Sequence, residues 1–199
     1  MPSSTALVLP GELPPTRLCT RADTQSGFEC ESTSLNNFFR DWAHRNERSH
    51  ANKTWVLPRP DDRPELPSVL GYYTLSATVI PRAEYLRVLE IPPKQASDAG
   101  YGDSPLYLIG RLARHSALRG STSSGRTLGA ILLLDAFERI LMCHAQMGGV
   151  AVVVDAETAD AAGFYSKYGF VSQEEANARW PRKMLLRIET VLKAFHAVR

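Results

Sequence analysis

Residues 108–134, LIGRLARHSALRGSTSSGRTLGAILLL, begin as an apolar strand, pass through a basic loop rich in Gly and Ser, and leave as an apolar helix. No other stretch constrains the fold as much. A loop of this kind at a helix start presents several unpaired backbone N–H groups in one direction. Together with the positive end of the helix dipole, those donors make a pocket suited to phosphate. Arg114, Arg119 and Arg126 add full charges able to pair with phosphate oxygens. One reading is a site for a phosphorylated cofactor. The other is an ordinary strand-to-helix connection whose Gly and Ser only serve the turn. The stretch by itself supports both equally.

The rest of the chain narrows the class. Its 199 residues suffice for a single domain, residues 1–199, with a large core. With 44% hydrophobic and 22% charged residues, the composition is that of a soluble globular protein. No apolar run approaches the roughly 20 residues a membrane helix needs, and the N-terminus lacks the pattern of a secretion signal. Cys19, Cys30 and Cys143 form no CxxC pair and leave one over, which argues for a reducing, cytoplasmic setting. The five histidines (44, 50, 115, 144 and 196) are scattered without metal-ligand spacing, so no metal is expected. A net charge of +2 is too small to argue nucleic-acid binding.

Residues 1–16, rich in proline and small residues, read as an extended arm. Ser32 or Ser34 caps a helix in which Leu35, Phe38, Phe39, Trp42 and Ala43 form one apolar face. Arg40, Arg45 and Arg48 fall on the other side and read first as a solvated face. Thr54–Leu57 and Val69–Val79 are β-prone and suggest an antiparallel pair across a proline-rich loop. Tyr85–Ile91 fits either a short strand or a helical turn, and Pro92–Pro105 reads as irregular. Leu106–Ala113 is the strand entering the basic loop, and a helix from Thr127 or Leu128 to about Gln146 leaves it. The run VAVVVD at Val150–Asp155 suits a strand covered on both faces. A short helix at Ala159–Lys167, a strand at Met184–Ile188 and a closing helix at Thr190–Val198 complete one mixed α/β domain.

Taken in order, Leu108–Ala113, SGRTLG at Ser124–Gly129, Val150–Asp155 and FYSKYGF at Phe164–Phe170 form a pattern that resembles the GNAT N-acetyltransferases. FECESTSLNNFF, NKTWVL, LGYYTLS, LIGRLA and LLLDA extend the likeness over roughly residues 28–187, where it is similar to the GNAT toxins of bacterial toxin–antitoxin pairs. The resemblance implies a mixed, mostly antiparallel sheet flanked by helices on both faces. It also shows one departure. The family's compact glycine-rich loop is lengthened here to Arg119-Gly120 followed by STSSGRTLG, Ser124 stands where a basic residue is usual, and Thr127 replaces a glycine. A Cβ at Thr127 could crowd the backbone where a diphosphate approaches.

Acetyl-CoA is the implied donor. Its pantetheine would run beside Leu112, Ala113 and Arg114, whose strand edge can pair with the amides of that arm. Its diphosphate would lie on Gly125, Arg126, Thr127, Leu128 and Gly129, with Arg119 and Gly120 also in the cofactor site; either Arg119, Arg126 and the serine hydroxyls compensate for the altered loop, or cofactor binding is weakened. The amine acceptor attacks the thioester directly, and Tyr165 matches the family tyrosine that protonates the departing thiolate. A phenol is protonated at neutral pH and suits that work; outside the motif Tyr165 reads first as a packing aromatic, and within it as the acid. Tyr168 is a weaker candidate; Tyr72 and Tyr73 read as core and sheet surface, His115 as a loop histidine, and Cys143 as buried.

The same resemblance implies an acceptor and partners. Such toxins acetylate the amino acid on charged tRNA and block translation; Arg40, Arg45, Arg48, Arg179, Arg182 and Lys183 would hold the tRNA backbone here. A ribbon-helix-helix antitoxin and a homodimer are family expectations. The alternatives are a small-molecule or protein N-acetyltransferase, and a weakened acyl-CoA-binding module.

Overall fold

A computed structural model describes residues 12–92, 102–118, 125–172 and 179–196. In chain order the elements are β1 (Arg17–Leu18), α1 (Arg21–Thr24), α2 (Thr33–Asp41), α3 (Ala43–Arg48), β2 (Lys53–Pro58), β3 (Val69–Ile80), α4 (Arg82–Val88), β4 (Ser104–Arg114), α5 (Leu128–His144), β5 (Ala151–Ala156), α6 (Ala159–Ser166), β6 (Arg182–Arg187) and α7 (Ile188–His196). The strands lie in one six-stranded sheet in the order β1-β2-β3-β4-β5-β6. The β1–β2, β2–β3 and β5–β6 pairs are antiparallel and β4–β5 is parallel, the mixed, mostly antiparallel sheet expected from the sequence. By compactness the chain divides into two units, Met1–Leu75 with Arg111–Glu138 and Ser76–Gly110 with Arg139–Arg199.

The first unit is built on aromatic packing. Phe39 stacks on Tyr72 with ring centroids 4.6 Å apart, and Phe28 meets both rings at 5.1 and 5.3 Å. Such pairs add about 0.5–1.5 kcal/mol each beyond the area they bury. The Tyr72 hydroxyl donates to the Leu35 carbonyl at 2.8 Å, so the ring is satisfied at both ends. Ser32 caps α2 by accepting from the Leu35 amide, as its sequence position suggests. The expected single helix is interrupted, however. Trp42 leaves helical geometry at φ −122°, α3 restarts at Ala43, and Trp42 is half exposed while Phe38, Phe39 and Ala43 are buried. Of the predicted apolar face, Trp42 therefore drops out, while Phe38, Phe39 and Ala43 stay buried.

Residues 12–16, the described part of the expected extended arm, carry no helix or strand, and regular structure begins directly after them. Strand β1 adds to β2, and the Asp23 carboxylate accepts two bonds from Arg17, at 2.7 and 2.9 Å, and two more from Thr20. Burial alone would raise the Asp23 carboxyl, but Arg17 and Thr20 outweigh it and hold the group below its ordinary range.

In the second unit Leu106, Ala151, Val153 and Leu185 form a core with Ile80, Tyr85, Leu86 and Val88. Residues 85–91, open to two readings in sequence, belong largely to helix α4. Strand β5 is buried at all positions but Asp155, as a strand covered on both faces should be.

Candidate functional site

The residues singled out from sequence fall in both units. The end of β4, the following turn and the start of α5 belong to the first. Ala113 is buried in the aromatic core, and Leu112 and Arg114 flank it half-buried. Gly71 on β3 permits a close approach: a Cβ there would stand 2.8 Å from the Ala113 carbonyl oxygen and 2.7 Å from Leu132 Cδ1. The His115 amide donates to Leu70 and the Ser116 amide to Glu29, both at 2.8 Å, which turns the chain at the strand's end. Arg114 does not present a free charge. Its guanidinium pairs with Glu31 at 3.1 Å, a partner 83 residues away in sequence.

Arg119 and Gly120 lie outside the described residues, as does Ser124. From Gly125 the chain is defined again. Gly125 has φ +78°, a backbone state that favours glycine, with open space where a Cβ would be. Arg126 and Thr127 are exposed. Thr127 has a structural role at this point: its hydroxyl accepts from the Ala130 amide at 3.2 Å and caps α5. The Leu128 and Gly129 amides precede that bond, in the first turn where intrahelical acceptors are lacking. The Leu128 side chain is fully buried, so this turn is anchored. Two turns further, Asp135 accepts hydroxyl bonds from Tyr73 and from Thr16, the latter at 2.6 Å.

Tyr165 lies in the second unit. Thr158 caps α6 through the Ala161 amide, and the helix carries Tyr165 near its last turn. Gly169, at φ +88°, reverses the chain so that Phe170 packs on Tyr165 with centroids 5.4 Å apart. Val171 then bridges Leu185 of β6. FYSKYGF thus folds as a helix end, a left-handed glycine and a return to the sheet. Tyr165 is 7% exposed; burial, with Glu157 adding to it, pushes its phenol well above the usual range, so it remains protonated at neutral pH. In this unit the β4–β5 ladder runs from Leu106↔Ala151 to Leu108↔Val153, while β5 continues to Ala156.

The secondary candidates separate clearly. Burial lowers the His115 imidazole against the opposing pull of Glu29 and Glu31, and its Nδ1 accepts from the Ala117 amide. Tyr72 and Tyr73 are both fully buried, so neither is sheet surface. Cys143, expected inside because it sits on an apolar helix, is exposed: α5 ends one residue later, beyond the buried arc that closes at Ile140. Of the basic candidates, Arg40 pairs with Asp41, Arg45 stacks on Trp42, Arg182 on Trp180, and Lys183 pairs with Asp155. Sequence reasoning passed over Gly71, Glu31 and the bonds of Asp135, because none carries a local signal. Among the described residues no group of three or more His, Cys, Asp or Glu could hold a metal ion, and no helix is long and apolar enough to cross a membrane.

The fold has relatives among solved structures. The chain is similar to AtaTR bound with acetyl-CoA, with a TM-score of 0.67 and 24% identity over 90% of this chain and 96% of that one. A tyrosine-to-phenylalanine mutant of KacT aligns at a TM-score of 0.72 and 22% identity, covering 92% of this chain and 100% of that one. AtaT complexed with acetyl-methionyl-tRNAfMet aligns at 0.69 and 26% identity, covering 90% and 98%. This is the GNAT fold. No family model matches the sequence. Strand β4, helix α5 and the FYSKYGF segment carry most of the site residues expected from sequence that fall among the described residues.

Proposed function

We propose that the protein is an acetyltransferase, moving an acetyl group from acetyl-CoA to the α-amino group of an amino acid carried on tRNA. In that reading it is the cytoplasmic toxin of a toxin–antitoxin pair. The observation that carries the donor is the start of α5, where a left-handed Gly125 and the Thr127 cap leave the first-turn amides of a buried, 17-residue helix available to an anion. Support for the acceptor comes from the likeness to AtaT complexed with acetyl-methionyl-tRNAfMet, and for a protein partner from AtaT bound to the C-terminus of its antitoxin AtaR.

The Leu128 and Gly129 amides receive the diphosphate, Arg126 adds charge, and the backbone of Leu112–Arg114 pairs with the pantetheine amides. The neutral amine attacks the thioester carbonyl; a C–N bond forms, the C–S bond breaks, and the amine loses a proton to solvent. Tyr165 donates its phenolic proton to the departing thiolate. A buried, protonated phenol suits a donor, and its packing on Phe170 fixes the ring.

The test is transfer of labelled acetyl from acetyl-CoA to charged and to deacylated tRNA. Label on charged tRNA alone is expected. Label on a small amine or a protein instead moves the acceptor to another class. Acetyl-CoA binding with no transfer to any amine leaves a binding module.

A further inference from the structure

Strand β4 carries two arginines near its end, and they differ in one respect. Arg114 is neutralised by Glu31. Arg111 is half-buried, its guanidinium carbon 3.8 Å from the centroid of Phe38, and among the described residues no carboxylate pairs with it. A partly desolvated cation without a counter-ion is unfavourable unless something completes it. Phe38 completes only the face of the group. Its ring is itself 5% exposed and stacked on Tyr72 at 6.2 Å and 23°, so the guanidinium plane lies on a fixed surface. The N–H fork in that plane remains, with the geometry that matches phosphate oxygens.

Position restricts the ligand. Alternation along a strand puts Arg111 on the side of Ala113, which packs with Phe38 in the aromatic core, and puts the side chains of Leu112 and Arg114 on the other. Arg111 directly precedes the stretch assigned above to pantetheine, which carries no charge. The donor's diphosphate is already assigned to the amides after Gly125. The donor's other phosphate, on its ribose, lies beyond the diphosphate at the end of the cofactor opposite the pantetheine, so the anion that can reach this end of the strand is the phosphodiester backbone of the acceptor. We propose that Arg111, held flat on Phe38, binds a phosphodiester group of the acceptor tRNA and thereby positions the amine. This rests on the acetyl-tRNA reading above.

The test compares Arg111→Gln and Arg111→Lys with the unaltered protein, using charged tRNA and acetyl-CoA over a salt series. Arg111→Gln should raise the KM for charged tRNA on the order of tenfold, with the acetyl-CoA Kd within about twofold of the original. It should also flatten the dependence of log(1/KM) on log salt by about 0.7–0.9, the share of one phosphate. Arg111→Lys should restore the slope and only part of the KM, because it keeps the charge and loses the fork. A purely structural role would lower the melting temperature and the active fraction without moving the salt slope. An unchanged KM and slope in folded Arg111→Gln overturns the proposal, as does an equal loss of acetyl-CoA affinity. If the unaltered protein acetylates another amine and not charged tRNA, the acceptor reading fails first and this proposal with it; that result is visible before any variant is compared.

Discussion

Tyr73 donates its hydroxyl to the carboxylate of Asp135, joining β3 to the middle of α5 across 62 residues of sequence. Thr16 donates to the same oxygen at 2.6 Å, so one carboxylate of α5 holds both the N-terminal segment and the sheet. The Thr127 cap of that helix lies two turns back.

Asp135→Ala removes the acceptor that both hydroxyls use and should destabilise the fold by about 1–3 kcal/mol. Asp135→Asn keeps an oxygen in place and should cost less. Urea unfolding of the two variants, with m-values compared to confirm the same transition, measures the difference.

Gly71→Ala places a Cβ 2.8 Å from the backbone oxygen of Ala113, which cannot swing away as the Leu132 side chain can. We expect about 1–3 kcal/mol of destabilisation. If the Leu112–Arg114 edge pairs with pantetheine, acetyl-CoA affinity should fall as well, and calorimetry of the folded variant separates the two effects.

Tyr165→Phe should lower turnover by about 10²–10⁴-fold, the usual worth of a general acid, with acetyl-CoA affinity unchanged. Because burial raises this phenol, it keeps its proton past the ordinary value of about 10. Loss of the acid by ionisation should therefore produce no fall in rate between pH 7 and about 10. A rate that declines near pH 8 through a group absent in Tyr165→Phe would contradict the assignment.

Asp23→Asn tests the N-terminal clasp. The folded-state pKa of Asp23 lies below its unfolded value of about 3.9, so its contribution is complete above that value and is lost as pH falls through the folded pKa. The variant should be less stable than the original protein at pH 7, by about 1 kcal/mol given the exposure of Arg17. The gap should narrow below about pH 4. Melting temperatures from pH 2.5 to 7 show whether the two curves converge.

What the chain announced along its length was local. β-prone composition marked β2 and β3, and a continuous apolar run marked β5; Ser32 and its following apolar spacing marked α2; a short helical stretch marked α6. These depend on near neighbours, and a neighbour is visible in sequence. The two-residue strand β1 and the four-residue α1 were not legible, because each exists only through its partner, β2 in one case and the Thr20–Asp23 capping box in the other. The same holds at the candidate site. Residue order alone located Gly125 at a turn and Thr127 beside a helix start. Only the folded chain paired Arg114 with Glu31, left Arg111 on Phe38, and set Asp135 against Tyr73 and Thr16. Those pairings join residues dozens of positions apart, and whether a charge is spent or available depends on what folding brings beside it.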